Sequence, residues 1–187
     1  NESFFEDAKP LVSNLKFRAS YGSLGNGNIS PYRYQEQMGV AKTGVILGGV
    51  QPSYTSIPGV IPEGLTWERS TTFNVGADLG FFDNALNLTF DWYNRKTYDM
   101  FTIGEPLPAV FGAAVPYGNF ADLSTKGWEL TVNYNNQFEL AGKPFNWGIN
   151  GSLWDSKSNI TRFNNPRKLL SSYYVGQEIG EIWGYQT

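Results

Sequence analysis

The chain has 187 residues with a net charge of −3, so it offers no basic stripe for binding nucleic acid. It contains neither cysteine nor histidine, which excludes disulfides, zinc–thiolate sites and the most common general base. Aromatic residues make up 16% of the chain and apolar residues only 41%, which suits apolar side chains that occupy single faces rather than a thick interior.

No segment has the pattern of a transmembrane helix, because the longest uncharged run, residues 43–62, is interrupted by glycine and proline. The sequence does not begin with Met and shows no signal peptide. We expect it to be a piece of a longer protein.

The first predicted strand covers residues 15–22, where apolar and polar side chains alternate. Lys16 and Arg18 lie on its polar face, which indicates water or carboxylates on that side rather than lipid. A long connection, residues 23–66, follows, and residues 32–38 could form a short strand within it. So long an irregular loop is either functional or a mistaken assignment.

A hairpin is the clearest element of the sequence. Its strands cover residues 67–79 and 85–97, joined by a turn at residues 81–84. Apolar and polar side chains alternate in both strands with period two, which predicts one apolar and one polar face.

A second hairpin is predicted from strands at residues 127–138 and 145–154, joined by a short turn at residues 140–144. Long connections cover residues 98–125 and 155–187. Short turns at one end and long loops at the other are typical of outer-membrane β-barrels. A strand of about 11 residues tilted by about 40° spans roughly 27 Å, close to the apolar band of such barrels.

In a membrane, the apolar face of these strands would contact lipid. Aromatic residues near the strand ends are typical of interfacial girdles, although tryptophan and tyrosine also suit strands in general. The predicted lipid-facing residues are Phe73, Val75, Leu79, Leu86, Leu88, Phe90, Trp92, Leu130, Val132, Trp147 and Ile149.

A soluble β-sandwich would also alternate apolar and polar residues. Its outer surface would be unusually rich in Asn, Thr and Asp, and its connections would be short at both ends. Five or six strands cannot close a membrane barrel alone, since bacterial barrels begin at about eight. The membrane interpretation therefore requires a longer chain.

Four segments in order resemble the SusC-like TonB-dependent transporters of Bacteroidota. Residues 65–82 resemble the late-barrel signature of that family, in which L-x-W-E leads into N-x-G-x-D. Residues 91–97 match its D-x-Y-x-K-x-T strand. Asn119 with residues 125–130 resembles its N-x-G…N-K-G-x-E entry, with Thr125 where asparagine is usual. Residues 175–185 resemble its V-G-x-P-I-G segment, with Glu178 where proline is frequent.

This resemblance implies an all-β, antiparallel transmembrane barrel of about 22 strands, of which residues 1–187 form part without the plug domain. It also implies an outer-membrane importer of glycans or oligopeptides in a Gram-negative bacterium. TonB would drive it, a SusD-like surface lipoprotein would act as its lid, and it would be neither an enzyme nor bound to a cofactor or metal. A non-transporting SusC-like assembly component and a soluble carbohydrate-binding β module remain as alternatives.

Aromatic residues in the long loops are the candidates for substrate or lid contacts, although loops packing on one another would also use them. These candidates are Tyr32, Tyr34, Tyr54, Phe111, Tyr117, Tyr173 and Tyr174.

Charged residues on the predicted strands are expected to be structural. Glu68 and Arg69 would form an ion pair at a strand end rather than contact substrate or lid. Lys16 and Arg18 would bind carboxylates of the plug rather than attract an anionic substrate. Asp78 and Asp91 lie among Asn and Thr on a polar face, so this carboxylate pair is not expected to be catalytic.

Overall fold

The computed structural model describes residues 11–27 and 29–184, which form an almost entirely β structure. A single turn of 3-10 helix covers Ala109–Phe111. The strands are β1 (Val12–Asn26), β2 (Val40–Lys42), β3 (Ser53–Thr55), β4 (Glu68–Phe81), β5 (Leu86–Ile103), β6 (Tyr117–Leu140) and β7 (Lys143–Arg162). Within the described residues, no helix is both long and apolar enough to cross a membrane.

Five strands form one antiparallel sheet in the order β1-β4-β5-β6-β7. Strands β2 and β3 form a separate hairpin inside the first long connection. The tight turns β4–β5 and β6–β7 lie at one end of the sheet, here called the turn side. The long connections lie at the other end, here called the loop side. The sheet does not close on itself within the described residues, where β1 and β7 are its edges.

The strands are longer than the sequence predicts, with 18 residues in β5, 24 in β6 and 20 in β7. The predicted connection 98–125 therefore shrinks to residues 104–116. The predicted strand at 32–38 is wrong. Tyr32 has a left-handed φ of 64°, which ends extended structure, and residues 31–34 form a turn.

The register brings the apolar side chains of the sheet onto one face. Leu88 is paired with Leu79 on one side and with Val132 on the other. Since directly paired residues share a face, all the predicted lipid-facing residues lie on this face. Their contact with lipid stays a prediction.

The loop-side boundary of the apolar face slopes across the sheet. The row of paired residues that starts with Tyr21 and Phe73 ends at Lys157, four residues beyond Leu153, the last apolar residue of that face in β7. Four residues along a strand, against four interstrand spacings, correspond to a strand tilt of about 35° if the boundary is level with a bilayer surface. This angle lies at the lower end of the range for membrane barrels.

Few side chains are buried among the described residues, as expected of a wall that is open on both faces. A small apolar cluster of Ala121, Ile160 and Phe163 lies at the loop side, with Met100 and Leu123 packed against it.

Candidate functional site

The predicted contact aromatics do not form a single site. Tyr32 and Tyr117 line the same cavity at the loop side. Tyr34 and Tyr54 are exposed elsewhere in the first connection, and Phe111 is exposed in the 3-10 turn of the second. Tyr173 and Tyr174 belong to the third connection.

The cavity has a volume of about 370 Å³ and lies where the first connection meets the loop-side ends of β5 and β6. Its wall mixes aromatic rings, a guanidinium group, amide side chains and apolar loop residues. It is lined by Ser30, Pro31, Tyr32, Arg33, Gln35, Gln37, Gly59, Val60, Ile61, Pro62, Leu65, Phe101 and Tyr117.

Two rings and one cation define the recognition chemistry of this cavity. The rings of Phe101 and Tyr117 are stacked with centroids 5.8 Å apart and an interplanar angle of 27°. The guanidinium of Arg33 lies 5.7 Å from the Tyr117 ring centroid, within the range of a cation–π contact. The rings offer a surface for a flat or apolar group, and the guanidinium can bind a carboxylate.

The sequence alone did not identify Phe101 and Arg33 as site residues. Phe101 was assigned to a connection, whereas the structure places it in β5. Arg33 lies between two of the predicted aromatics, Tyr32 and Tyr34, and this position was the one available signal.

Side chains of motif residues hold the strand ends below the cavity. Glu68 accepts hydrogen bonds from Nδ2 of Asn26 at 2.9 Å and from the backbone N–H of Phe101 at 2.9 Å. The predicted Glu68–Arg69 ion pair is wrong, since neighbouring residues of a strand point to opposite faces. The guanidinium of Arg69 instead lies 5.2 Å from the ring centroid of Tyr98.

Asn119, another motif residue, joins the first connection to a bulge in β5. It donates to the carbonyl oxygens of Thr66 at 2.9 Å and Asp99 at 2.5 Å, and it accepts from the N–H of Thr66 at 2.9 Å. Asp99 has a left-handed φ of 56° and lies at the register shift between β5 and β6. The hydrogen bonds of Asn119 therefore stabilise the β-bulge at Asp99, where the regular pairing of β5 with β6 is interrupted.

Arg162 of β7 adds ion pairs to these hydrogen bonds at the loop side. Its guanidinium binds Asp122 through Nε and Nη2, both at 2.8 Å, and Asp99 through Nη2 at 2.8 Å. Burial favours the protonated form of Asp122, but the hydrogen bonds from Arg162 and from the N–H of Asp99 outweigh it and lower the pKa of that carboxyl. Asp122 is thus held ionised at the loop side.

The third connection folds onto β7, although its Tyr173 remains 45% exposed. The buried Asn165 side chain donates to the carbonyl oxygens of Leu169 at 3.0 Å and Tyr173 at 2.9 Å. The ring of Tyr173 makes an edge contact with Phe163 at 5.8 Å. Partial burial and the carboxylate of Glu181 raise the pKa of the Tyr174 hydroxyl.

The same connection returns to the free edge of β7. The N–H of Gly176 donates to Ile160, the N–H of Ile160 to Gln177, and the N–H of Ile179 to Ser158, at 2.8, 2.9 and 2.8 Å. An isolated antiparallel bridge joins Asn159 and Glu178.

Arg18 on the polar face has partners within the sheet, which differs from the expectation that it binds the plug. Its guanidinium makes two hydrogen bonds to Asp78, at 2.9 and 3.1 Å, and two to Asp91, at 3.1 and 2.8 Å. Gly76 leaves room for this arrangement, because a β-carbon there would lie 2.9 Å from Nη2 of Arg18. The pair of aspartates is therefore a structural ion-pair cluster across β1, β4 and β5. Among the described residues, no group of acidic side chains is arranged to hold a metal ion.

Comparison with known proteins gives consistent matches. A family model described as "TonB dependent receptor-like, beta-barrel" matches residues 9–184. TonB-dependent receptor P3 of Formosa agariphila is 27% identical over 198 residues, which cover 99% of this chain and 19% of that protein. TonB-dependent receptor SusC of Bacteroides thetaiotaomicron is 29% identical over 177 residues, covering 93% and 17%.

A solved structure of the RagAB peptide transporter superposes with a TM-score of 0.68 at 26% identity, covering 86% of this chain and 17% of that one. The RagAB peptide importer in its open-open state gives 0.69 at 25% identity, covering 87% and 17%. The chain spans less than a fifth of the length of the curated relatives it matches.

Proposed function

The chain belongs to the TonB-dependent receptor-like β-barrel family, with SusC among its relatives, and on this premise we propose that it forms part of the wall of a nutrient importer in the Gram-negative outer membrane. Residues 1–187 would belong to the barrel domain, and the plug and the TonB-contacting segment would lie elsewhere in the protein. The wall itself would catalyse no reaction.

The observation that carries this proposal is the cavity of Tyr32, Arg33, Phe101 and Tyr117 at the loop side of a family barrel wall. In an importer, the loop side faces the medium, so substrate would reach this cavity before it enters the barrel. A SusD-like lipoprotein would close over the same loops as a lid.

Oligopeptides are the substrate class that the cavity favours. Every peptide with a free C-terminus carries a carboxylate, which the Arg33 guanidinium can bind, and the stacked rings can hold an apolar side chain. The similarity to solved structures of a peptide importer supports the same class. Glycans, the other substrate class that the sequence resemblance implies, are the other outcome of the test.

The test uses the full-length protein in its native membrane. Cells with and without the protein are given a mixture of oligopeptides and oligosaccharides, and depletion of each is measured by mass spectrometry. We expect protein-dependent loss of peptides that also requires TonB. Protein-dependent loss of oligosaccharides alone would assign glycans, and no protein-dependent loss of either would favour a non-transporting assembly role.

A matched pair of variants locates the site. Tyr117→Leu removes one stacked ring of the cavity and should weaken peptide binding to the purified full-length protein by about 5–10-fold, the scale of one aromatic contact. Phe111→Leu removes an exposed ring outside the cavity and should leave binding unchanged. Equal effects of the two variants, measured by calorimetry, would rule out the cavity as the binding site.

A further inference from the structure

The apolar face of the sheet carries a row of cations just beyond its loop-side boundary. Each of the strands β4 to β7 has one lysine or arginine within two same-face positions of its last apolar residue. These residues are Arg69, Lys96, Lys126 and Lys157. At the turn side, the two tight turns and their flanks carry one cation, Lys143, together with Asp83 and Glu139. The positive charge is therefore concentrated at one membrane level.

Lys126 and Lys157 are directly paired across β6 and β7, so two like charges face each other on the same side of the sheet. Such a pair destabilises a sheet unless an anion lies between the two. Glu178 approaches Lys157 at a distance of 3.7 Å, but that carboxylate lies in the third connection. Among the described residues, neither Lys96 nor Lys126 has an ion-pair partner.

A groove of about 480 Å³ lies between these two lysines on the outer face of β6 and β7. Trp92 and Trp128 line it on the membrane side, and Asp155 is the one carboxylate in its lining. Indole rings favour the level at which lipid headgroups meet acyl chains. The groove therefore combines a headgroup-level aromatic surface with two ammonium groups.

We propose that this groove binds the phosphate of a lipid headgroup in the outer leaflet of the outer membrane. The ammonium groups of Lys126 and Lys157 donate to the phosphate oxygens, and Lys96 on the neighbouring strand extends the positive field. Trp92 and Trp128 contact the headgroup–acyl junction of the same lipid. Bound lipid phosphate relieves the repulsion of the lysine pair. This inference rests on the outer-membrane location of the family and not on the transported substrate.

The experiment measures lipid bound to the full-length protein by native mass spectrometry in mild detergent. Purified lipid A is added as the phosphorylated probe, and the same lipid after enzymatic dephosphorylation is the matched comparison. The variant K126Q/K157Q keeps similar side-chain size but removes both charges, and Lys143→Gln at the turn side is the charge control. Circular dichroism checks that each variant retains its sheet.

We expect the double variant to bind phosphorylated lipid A about tenfold more weakly, the scale of lost charge-assisted hydrogen bonds, while Lys143→Gln binds like wild type. Wild type should prefer the phosphorylated lipid. Equal binding of the two lipids, or unchanged binding by the double variant, would overturn the proposal. Inorganic phosphate that binds the groove as tightly as the phosphorylated lipid would assign the groove to free phosphate and would also overturn the proposal.

Discussion

The turn side and the loop side of the sheet share β4 to β7, but they are stabilised differently. On the turn side, β4, β5 and β6 pair without a register shift, and apolar residues such as Leu88 line one face. On the loop side, register shifts lie next to Met100 and Asp122, and a left-handed Asp99 interrupts the ladder. Polar side chains there replace the regular alternation.

This difference shows that different interactions stabilise the two ends of one strand. Where one face would contact lipid, the face on which a charged side chain lies determines how strongly it destabilises the sheet, so apolar and polar residues must alternate. Where the strand extends beyond the apolar face, hydrogen bonds and ion pairs stabilise it, and alternation is not required. The stability of turn-side variants should therefore depend on which face the substituted side chain occupies. The stability of loop-side variants should depend on the charge state of the carboxylates.

The largest effect is expected for Leu88→Arg at the middle of the apolar face. An arginine in mid-bilayer contact with lipid should lower the free energy of unfolding by about 2–4 kcal/mol. Thr89→Arg, on the opposite face near Asp78, should cost much less. Denaturant unfolding of the full-length protein in lipid vesicles measures both, and equal costs would contradict the facing assigned here.

An intermediate effect is expected for Gly76→Ala on the polar face. The new β-carbon would clash most closely with Oδ1 of Asp91, and it would lie 2.9 Å from Arg18 Nη2 and 3.0 Å from the carbonyl oxygen of Phe90, so the ion-pair cluster or the backbone must move. Overpacking of this kind should lower the free energy of unfolding by about 1–3 kcal/mol. Gly22→Ala in β1, with open space around it, is the control, and the same unfolding assay would refute the prediction by giving equal losses.

The smallest effect is expected for Asp122→Asn on the loop side, about 1 kcal/mol or less at neutral pH because the Arg162 pair is partly exposed. The pKa of Asp122 is lowered in the folded state, so its stabilisation is present above the ordinary aspartate pKa of about 3.9 and is lost as the pH falls through the lowered value.

Thermal unfolding midpoints at neutral and acidic pH measure this contribution. The wild type should lose more stability on acidification than Asp122→Asn does. Asp83→Asn in the tight turn controls for a general change of charge, and there the pH response should match the wild type. If Asp122→Asn and the wild type lost equal stability on acidification, Asp122 would not contribute to the pH dependence of stability.

The fold on the turn side was predictable because a sheet with one apolar and one polar face imposes period two on the sequence. The antiparallel outer-membrane barrel segment predicted from residues 71–94 and the later hairpin is confirmed by the family match. The loop-side extensions of β5 and β6 were not predictable. Pro106, Pro108 and Pro116 mark an irregular connection, and the bulges on either side of it break the alternation that identifies a strand.

The candidate site was predictable only in part. Tyr32 and Tyr117 stood out as aromatics in predicted loops, but Tyr117 begins β6, and their meeting depends on how the first connection folds over the end of the sheet. Arg18 shows the same limit, since its aspartate partners follow from the pairing of β1 with β4, which no local pattern specifies. Long-range register, rather than residue type, was the missing information.

The return of residues 176–179 to β7 has a consequence for how the barrel assembles. Successive side chains of a strand point to opposite faces, so a slip of one residue in the pairing register would turn every outward-facing side chain inward. Three main-chain hydrogen bonds at Ser158 and Ile160 fix one pairing register at the loop-side end of the β7 edge. A strand that continued along β7 from this point would keep the same register. This short contact at the loop side would then determine which side chains of that strand face outward and which face inward.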